Sequence, residues 1–445
     1  METTSSRGPV DRPHTVRNLK ILLWILLIAA GAEFVVRGPA RYLHPTNWND
    51  LAQNYAATRL WLRGQNFANP ENFVALWRNE LGSTLGANTV RTHLAPPLGT
   101  LVLMAPIGAL PWPIAKIAWL AVLLAAFGLT VWSLMKFAGL HLDDPRSLAF
   151  IAGCLALAPF HTGIASANQT ILVVGCCALG VWAASGQRDV VAGLLFGVAC
   201  SLKPHIGSFL VLYYLVRRRW RLFGTALGLT LALMLVAALW MRICGVSWTQ
   251  DYFHNAKVLV AENKIDDFTS VNPIRFLLVN LQVPFYSFVS KESANMMALS
   301  VGALLVCVWM YLLTRNRQAG SELLALGAIA TISLLPVYHR FYDVSLLAIP
   351  FCWCVSHPPD KLKGVVRTAL LLMAPSLVPG AAVLQQLAAH DRIPRQWTHS
   401  WWWNRIVMPH QTWLLLTLSL VLLYGLAKSR FDELPEPQSV RRAVT

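Results

Sequence analysis

Charge is scarce along this chain and acid scarcer than base, with 21 Asp and Glu against 37 Lys and Arg in 445 residues. A soluble domain needs a charged surface, and a chain that is 13% charged and 56% apolar does not supply one. The basic excess does not point to nucleic acid. Its arginines sit mostly in short connections between apolar runs, as in the cytoplasmic loops of membrane proteins. Paired cysteines are missing too. Cys154, Cys176, Cys177, Cys200, Cys244, Cys307, Cys352 and Cys354 stand singly or in apolar surroundings, and Cys352-Trp-Cys354 lacks the spacing of a zinc or thioredoxin site. They read as small core hydrophobes, with only Cys244 expected near an exposed surface. No small-residue cleavage site promptly follows the first apolar run, which is therefore expected to stay as an anchor. A repeat of fixed period is absent.

What the chain does have is long apolar runs, recurring from residue 20 to residue 428. They imply an all-α polytopic membrane protein. Arg7, Arg12, Arg17 and Lys20 put tail 1–18 in the cytoplasm and send a first helix, 19–37, outward. A first external loop then covers 38–112. Its apolar part, 97–110, is short of the roughly 20 residues a span needs and is broken by Pro106. Kept in the outer interface, it leaves every short basic connection facing inward, including the cluster Arg217-Arg218-Arg219-Trp220-Arg221. Further spans follow at 113–136, 148–162, 169–186, 190–203, 205–217, 223–243, 296–314, 320–337, 343–356, 364–387 and 411–428. The expected total is about twelve, within a membrane domain 19–428, with both termini cytoplasmic and tail 429–445 disordered like the first. Large external loops lie at 244–295 and 388–410. The latter is rich in Trp (Trp397, Trp401, Trp402, Trp403), as suits a lipid interface.

Asp50 stands out in the first loop. It has no Lys or Arg within seven positions and opens a stretch, 49–64, that reads as one helix. Asn49 or Asp50 suits the N-cap, Leu51, Tyr55, Leu60 and Leu62 give an apolar face, and Gly64 marks the stop. An acid there is either a cap near an interface or a site residue. Charges at membrane depth are costly and mark substrate paths or ion pairs. Lys203, where Pro204 turns the chain between two apolar runs, either holds a phosphate or snorkels from a helix end. In Tyr338-His-Arg-Phe-Tyr-Asp343, Arg340 suits phosphate and His339 can donate to a leaving oxygen, unless Arg340 and Asp343 only close a turn. Asn168 and Gln169 can bond sugar hydroxyls or serve as caps and interhelical contacts. His93, His205 and Tyr55 complete the candidates, while Asp251, His254, Lys257, Glu262 and Asp266 read as a solvated face. No acids are spaced as a metal-ligand set, so no metal is expected.

A carboxylate and several cations on one membrane face fit sugar transfer from a lipid phosphate. The carboxylate takes the acceptor hydroxyl's proton, cations stabilise the leaving phosphate, and no redox cofactor is needed. The chain resembles glycosyltransferase family 87. The resemblance is carried by Asp50-Leu-Ala-Gln-Asn-Tyr-Ala-Ala with Trp61-Leu-Arg-Gly64, then His93-Leu-Ala-Pro-Pro-Leu98 and Ala167-Asn-Gln-Thr. Ala192-Gly-Leu-Leu-Phe-Gly-Val-Ala-Cys-Ser-Leu-Lys-Pro204 and Pro336-Val-Tyr-His-Arg-Phe-Tyr-Asp343 follow, in order from 50 to 343. The resemblance implies the C-type membrane glycosyltransferase fold and a polyprenyl-phosphate sugar donor, mannose above others. It also implies a lipid or glycan acceptor at the outer face of the plasma membrane, and partners that are membrane lipids rather than nucleic acid. It puts the catalytic acid at Asp50, a donor-phosphate contact at Lys203 and a site histidine at His339. The family often has Gly-Gln where this chain has Asn168-Gln169. Two other classes share the many-span layout: a flippase or transporter of lipid-linked sugars, expected to show inverted-repeat hydropathy, and a polysaccharide polymerase or ligase, expected to rely on outer-loop arginines without an essential acid. A scaffold subunit whose charges only pair is the third.

Overall fold

The computed structural model describes residues 12–44, 49–82, 93–261, 264, 266–315, 322–356 and 358–429. Among them the regular structure is helical, with one isolated antiparallel bridge, Leu278 to Arg340, and no strand. Helices apolar all round must be covered on every side, by lipid or by protein. Both covers are used. Ile28, Ile117 and Leu235 on the long outer helices are 70%, 69% and 58% exposed. By contrast, every residue from Leu323 to Ser333 of the inner helix Glu322–Ser333 is buried.

Five helices are long and apolar enough to cross a membrane: Arg17–Tyr42, Trp112–Phe137, Trp220–Ile243, Lys291–Arg315 and His410–Ser429. Two bent pairs, Pro145–Ala156 with Ala158–Ala165 and Asp360–Leu377 with Gly380–Ala389, raise this to seven if each is one broken span. The remaining expected spans are helical but shorter: Thr170–Ser185, Asp189–Leu202, Pro204–Val216, Glu322–Ser333 and Phe341–Val355. Sixteen helical residues rise about 24 Å, less than the roughly 30 Å of a bilayer core. Twelve full crossings are therefore more than the helix lengths support. Several of the short helices sit inside the bundle, where protein rather than lipid covers them. The first helix already begins at Arg12, so part of the expected tail is helical. The rest of that tail, the C-terminal tail after Ser429 and Glu262 lie outside the described residues.

The segment 97–110 forms two short helices, Leu98–Leu103 and Ala105–Ala109, meeting at Met104 with Pro106 in the first turn of the second. It packs on protein rather than lying free at an interface: Gly99, Thr100 and Leu101 are buried, and the Thr100 hydroxyl donates to the Ser201 carbonyl at 3.1 Å. The second loop joins the first through its helix Thr249–Leu259. Asn255 Nδ2 donates to the Ala68 and Leu94 carbonyls (2.7 and 3.0 Å), and the Tyr252 hydroxyl donates to Pro96 O (3.0 Å). Asp251 accepts from Asn66 Nδ2 at 2.7 Å, so it is a loop-to-loop tie and not a site acid. Cys307 is exposed and Cys244 only half-buried, which extends the expectation for exposed thiols beyond Cys244.

Close helix packing sets the register of the residues that follow. Pro204 opens the helix Pro204–Val216, and Gly207 on it lies so near the preceding helix that a Cβ would meet the backbone nitrogen of Cys200 at 2.7 Å. Gly207→Val is expected to lower stability by about 1–3 kcal/mol through overpacking, seen as a lower unfolding temperature in detergent.

Candidate active site

Asp50 lies in the first turn of the helix Asn49–Leu62, which ends where the left-handed Gly64 (φ 63°) stops it. The residues 45–48 before it lie outside the described set, so the expected cap is undescribed. Asp50 lines a cavity of about 540 Å³ together with Arg37, Arg41, Arg340, Tyr342, His161, Gln386 and Gln411. Arg37 ends the first long helix and pairs with Glu33 at 2.7 Å. Arg340 is held by its Tyr338 neighbour, with Nε donating to the phenol oxygen at 2.6 Å, and the nearby Asp50 carboxylate favours its charged form against burial.

Behind the cavity lies a second carboxylate, Asp343, which is fully buried. The Lys203 ammonium donates to its Oδ1 at 2.7 Å, His339 Nδ1 approaches Oδ2 at 3.3 Å, and the Arg340 backbone N–H donates to Oδ2 at 3.1 Å. His339 Nε2 bonds the Ser333 carbonyl at 2.9 Å, and the ring of His205 lies 4.8 Å from that of His339. His205, His339 and Asp343 are close enough to share a cation, but the Lys203 ammonium already supplies positive charge at the Asp343 oxygen. The two carboxylates are bridged. Asn168 Nδ2 donates to Asp50 Oδ2 at 2.7 Å, Asn168 Oδ1 accepts the Thr170 N–H at 2.9 Å, and the Thr170 hydroxyl lies 2.5 Å from Asp343 Oδ1.

A sequence model of glycosyltransferase family 87 matches residues 95–337, a little more than half of the chain. The chain belongs to this family. It is a membrane glycosyltransferase. Neither a curated protein nor a solved structure matches it. The match stops short of Asp50 and of 338–343, and folding brings both to the edge of the matched core.

Of the residues expected from sequence, the glycosyltransferase brings Asp50 and Arg340 together on one cavity wall. Lys203 and His339, expected on a phosphate, are instead buried against Asp343, with the Lys203 ammonium 4.7 Å from the Tyr342 ring centroid. Asn168 bonds Asp50, whereas Gln169 turns away to the Leu202 carbonyl at 2.9 Å. Tyr55 is not at the site. Its ring packs on Trp112 and its hydroxyl donates to the Leu110 carbonyl at 2.8 Å, because it faces the core side of its helix. His93 lies against His254, 6.2 Å between rings, where burial, Lys264 and His254 lower its pKa.

Asp343, Thr170, Arg37 and Arg41 are the residues that sequence reasoning did not assign to the site. In the sequence Asp343 clusters with His339 and Arg340, with a turn pair to Arg340 as the alternative, and nothing there links it to Lys203. For Arg37 and Arg41 a signal exists: with the first helix running outward they fall on the outer side, where basic residues are disfavoured.

Proposed function

We propose that the protein transfers a sugar, mannose by the family resemblance, from a polyprenyl phosphate to a hydroxyl of a lipid or glycan acceptor at the outer face of the plasma membrane. The observation that carries this reading is one cavity lined by a single acid, Asp50, together with three arginines, Arg37, Arg41 and Arg340, among the described residues. An apolar cavity of about 450 Å³, walled by Leu23, Leu26, Leu157, Phe351 and Met373 among others, adjoins it. Glu33 lines the apolar cavity and pairs with Arg37 of the polar one. A donor with a charged head and a long apolar tail matches that pairing of cavities.

In the proposed reaction the acceptor hydroxyl gives its proton to Asp50, and its oxygen attacks the anomeric carbon. The bond from that carbon to the phosphate oxygen breaks on the opposite face, which inverts the anomeric centre. The leaving phosphate gains negative charge, and the arginines stabilise it through charge-assisted hydrogen bonds. Lys203 and His339 act one step back, by holding Asp343 and with it the loop that carries Arg340.

Purified protein in detergent, without any membrane gradient, is expected to release polyprenyl phosphate from the donor only when an acceptor is present. A transporter would release none. Arg340→Gln is expected to raise the donor KM about 10–100-fold, the loss of one hydrogen bond to a charged group. An unchanged KM would remove Arg340 from the phosphate site.

A further inference from the structure

We infer that Asn168 is a positioning residue that orients the Asp50 carboxylate, rather than a contact to sugar; this rests on Asp50 being the base. The first observation is geometric. Asn168 is 6% exposed and absent from the cavity wall, and among the described residues its side-chain nitrogen makes the one hydrogen bond to the Asp50 carboxylate, at 2.7 Å to Oδ2. The second concerns which way round the amide sits. The Thr170 backbone N–H is a donor and points at Asn168 Oδ1 from 2.9 Å, so that atom must be the carbonyl oxygen and the atom facing Asp50 the amino nitrogen. An amino nitrogen only donates there, so it fixes the direction from which Asp50 Oδ2 accepts.

The third observation is what stands behind Asn168. The Thr170 hydroxyl lies 2.7 Å from Asn168 Oδ1 and 2.5 Å from Asp343 Oδ1, and its single proton serves one of the two. Asp343 is fixed in turn by Lys203, His339 and the Arg340 backbone. The chain also enters this turn through Ala167 in the left-handed region (φ 58°), an uncommon backbone for a residue with a Cβ, held by Trp119 Nε1 donating to the Ala167 carbonyl at 2.9 Å. One Asp50 oxygen is thereby held, and the carboxylate has a set orientation toward the cavity. The charged and titratable groups facing Asp50 across that cavity are Arg37, Arg41, Arg340, Tyr342 and His161; behind Asn168 stand Asp343, Lys203, His339 and His205.

The test is steady-state transfer by Asn168→Ala, with donor and acceptor varied separately. The expected result is a kcat lower by about tenfold with both KM values within about twofold of wild type, since the base has lost the donor that aims it. A raised KM for donor or acceptor at an unchanged kcat would mean that Asn168 touches sugar, and would overturn the inference, as would wild-type kinetics. Should Asn168→Ala fail to fold, Asn168→Asp is measured the same way. It replaces the donor by a second acid, so kcat is expected to fall at least as far with both KM values kept, and a wild-type kcat in a folded protein sinks the proposal. Asp50→Asn separates the two readings. If it is inactive while the Asn168 variants keep the wild-type kcat, only the positioning role fails; if it is fully active, Asp50 is not the base.

Discussion

Asp50→Asn is expected to lower kcat for sugar transfer by about 10²–10⁴-fold, the range over which a positioned general base contributes. The substitution keeps the shape of the side chain and its place in the first turn of the helix Asn49–Leu62. It removes the one acidic group that lines the cavity among the described residues, while Arg37, Arg41 and Arg340 remain. Donor binding should therefore survive, and with one negative charge fewer beside the arginines it should hold or tighten. A fall in kcat at an unchanged unfolding temperature is the expected pattern. A fall that tracks loss of folded protein would instead make Asp50 a structural residue.

Lys203→Ala is expected to act on stability before it acts on kinetics. Its ammonium is 2.7 Å from an Asp343 carboxylate that has no exposure, and removing it leaves a buried charge without its ammonium partner. Breaking a buried pair from one side costs about 3–5 kcal/mol. Pairing the change with Asp343→Asn removes the charge as well as its partner, so the double variant is expected to unfold at a higher temperature than Lys203→Ala alone. Thermal unfolding of the purified variants in one detergent measures this. Were Lys203 instead a direct phosphate ligand, Lys203→Ala would keep its unfolding temperature and raise the donor KM, and the assignment made from the buried geometry would be wrong.

The two carboxylates show how far the sequence was legible. Asp50 could be found because its signals are local: an isolated acid, an apolar helical face and Gly64 at the stop, which the helix Asn49–Leu62 and the left-handed Gly64 match. The broken segment 97–110 was legible for the same reason, since Pro106 and the short run both act within a few residues. Asp343 groups in sequence with His339 and Arg340, its near neighbours. Its ammonium partner is Lys203, 140 positions away, and no local pattern encodes that pairing. From sequence, Asn168 reads either as a sugar contact or as a cap and interhelical contact. What decides its role is Asp50, 118 positions earlier. The number of spans was not legible for a different reason. An apolar run of 12–16 residues looks alike whether lipid or protein covers it, and helices such as Glu322–Ser333 prove to be covered by protein.

The most direct measurement is transfer of label from radiolabelled polyprenyl-phosphate mannose to a lipid extract, with wild type and Asp50→Asn purified side by side and shown to bind the donor equally. Labelled glycolipid from the wild type and none above background from Asp50→Asn is the expected result. Equal product from the two would contradict the assignment of the cavity around Asp50 as the place where the sugar is transferred.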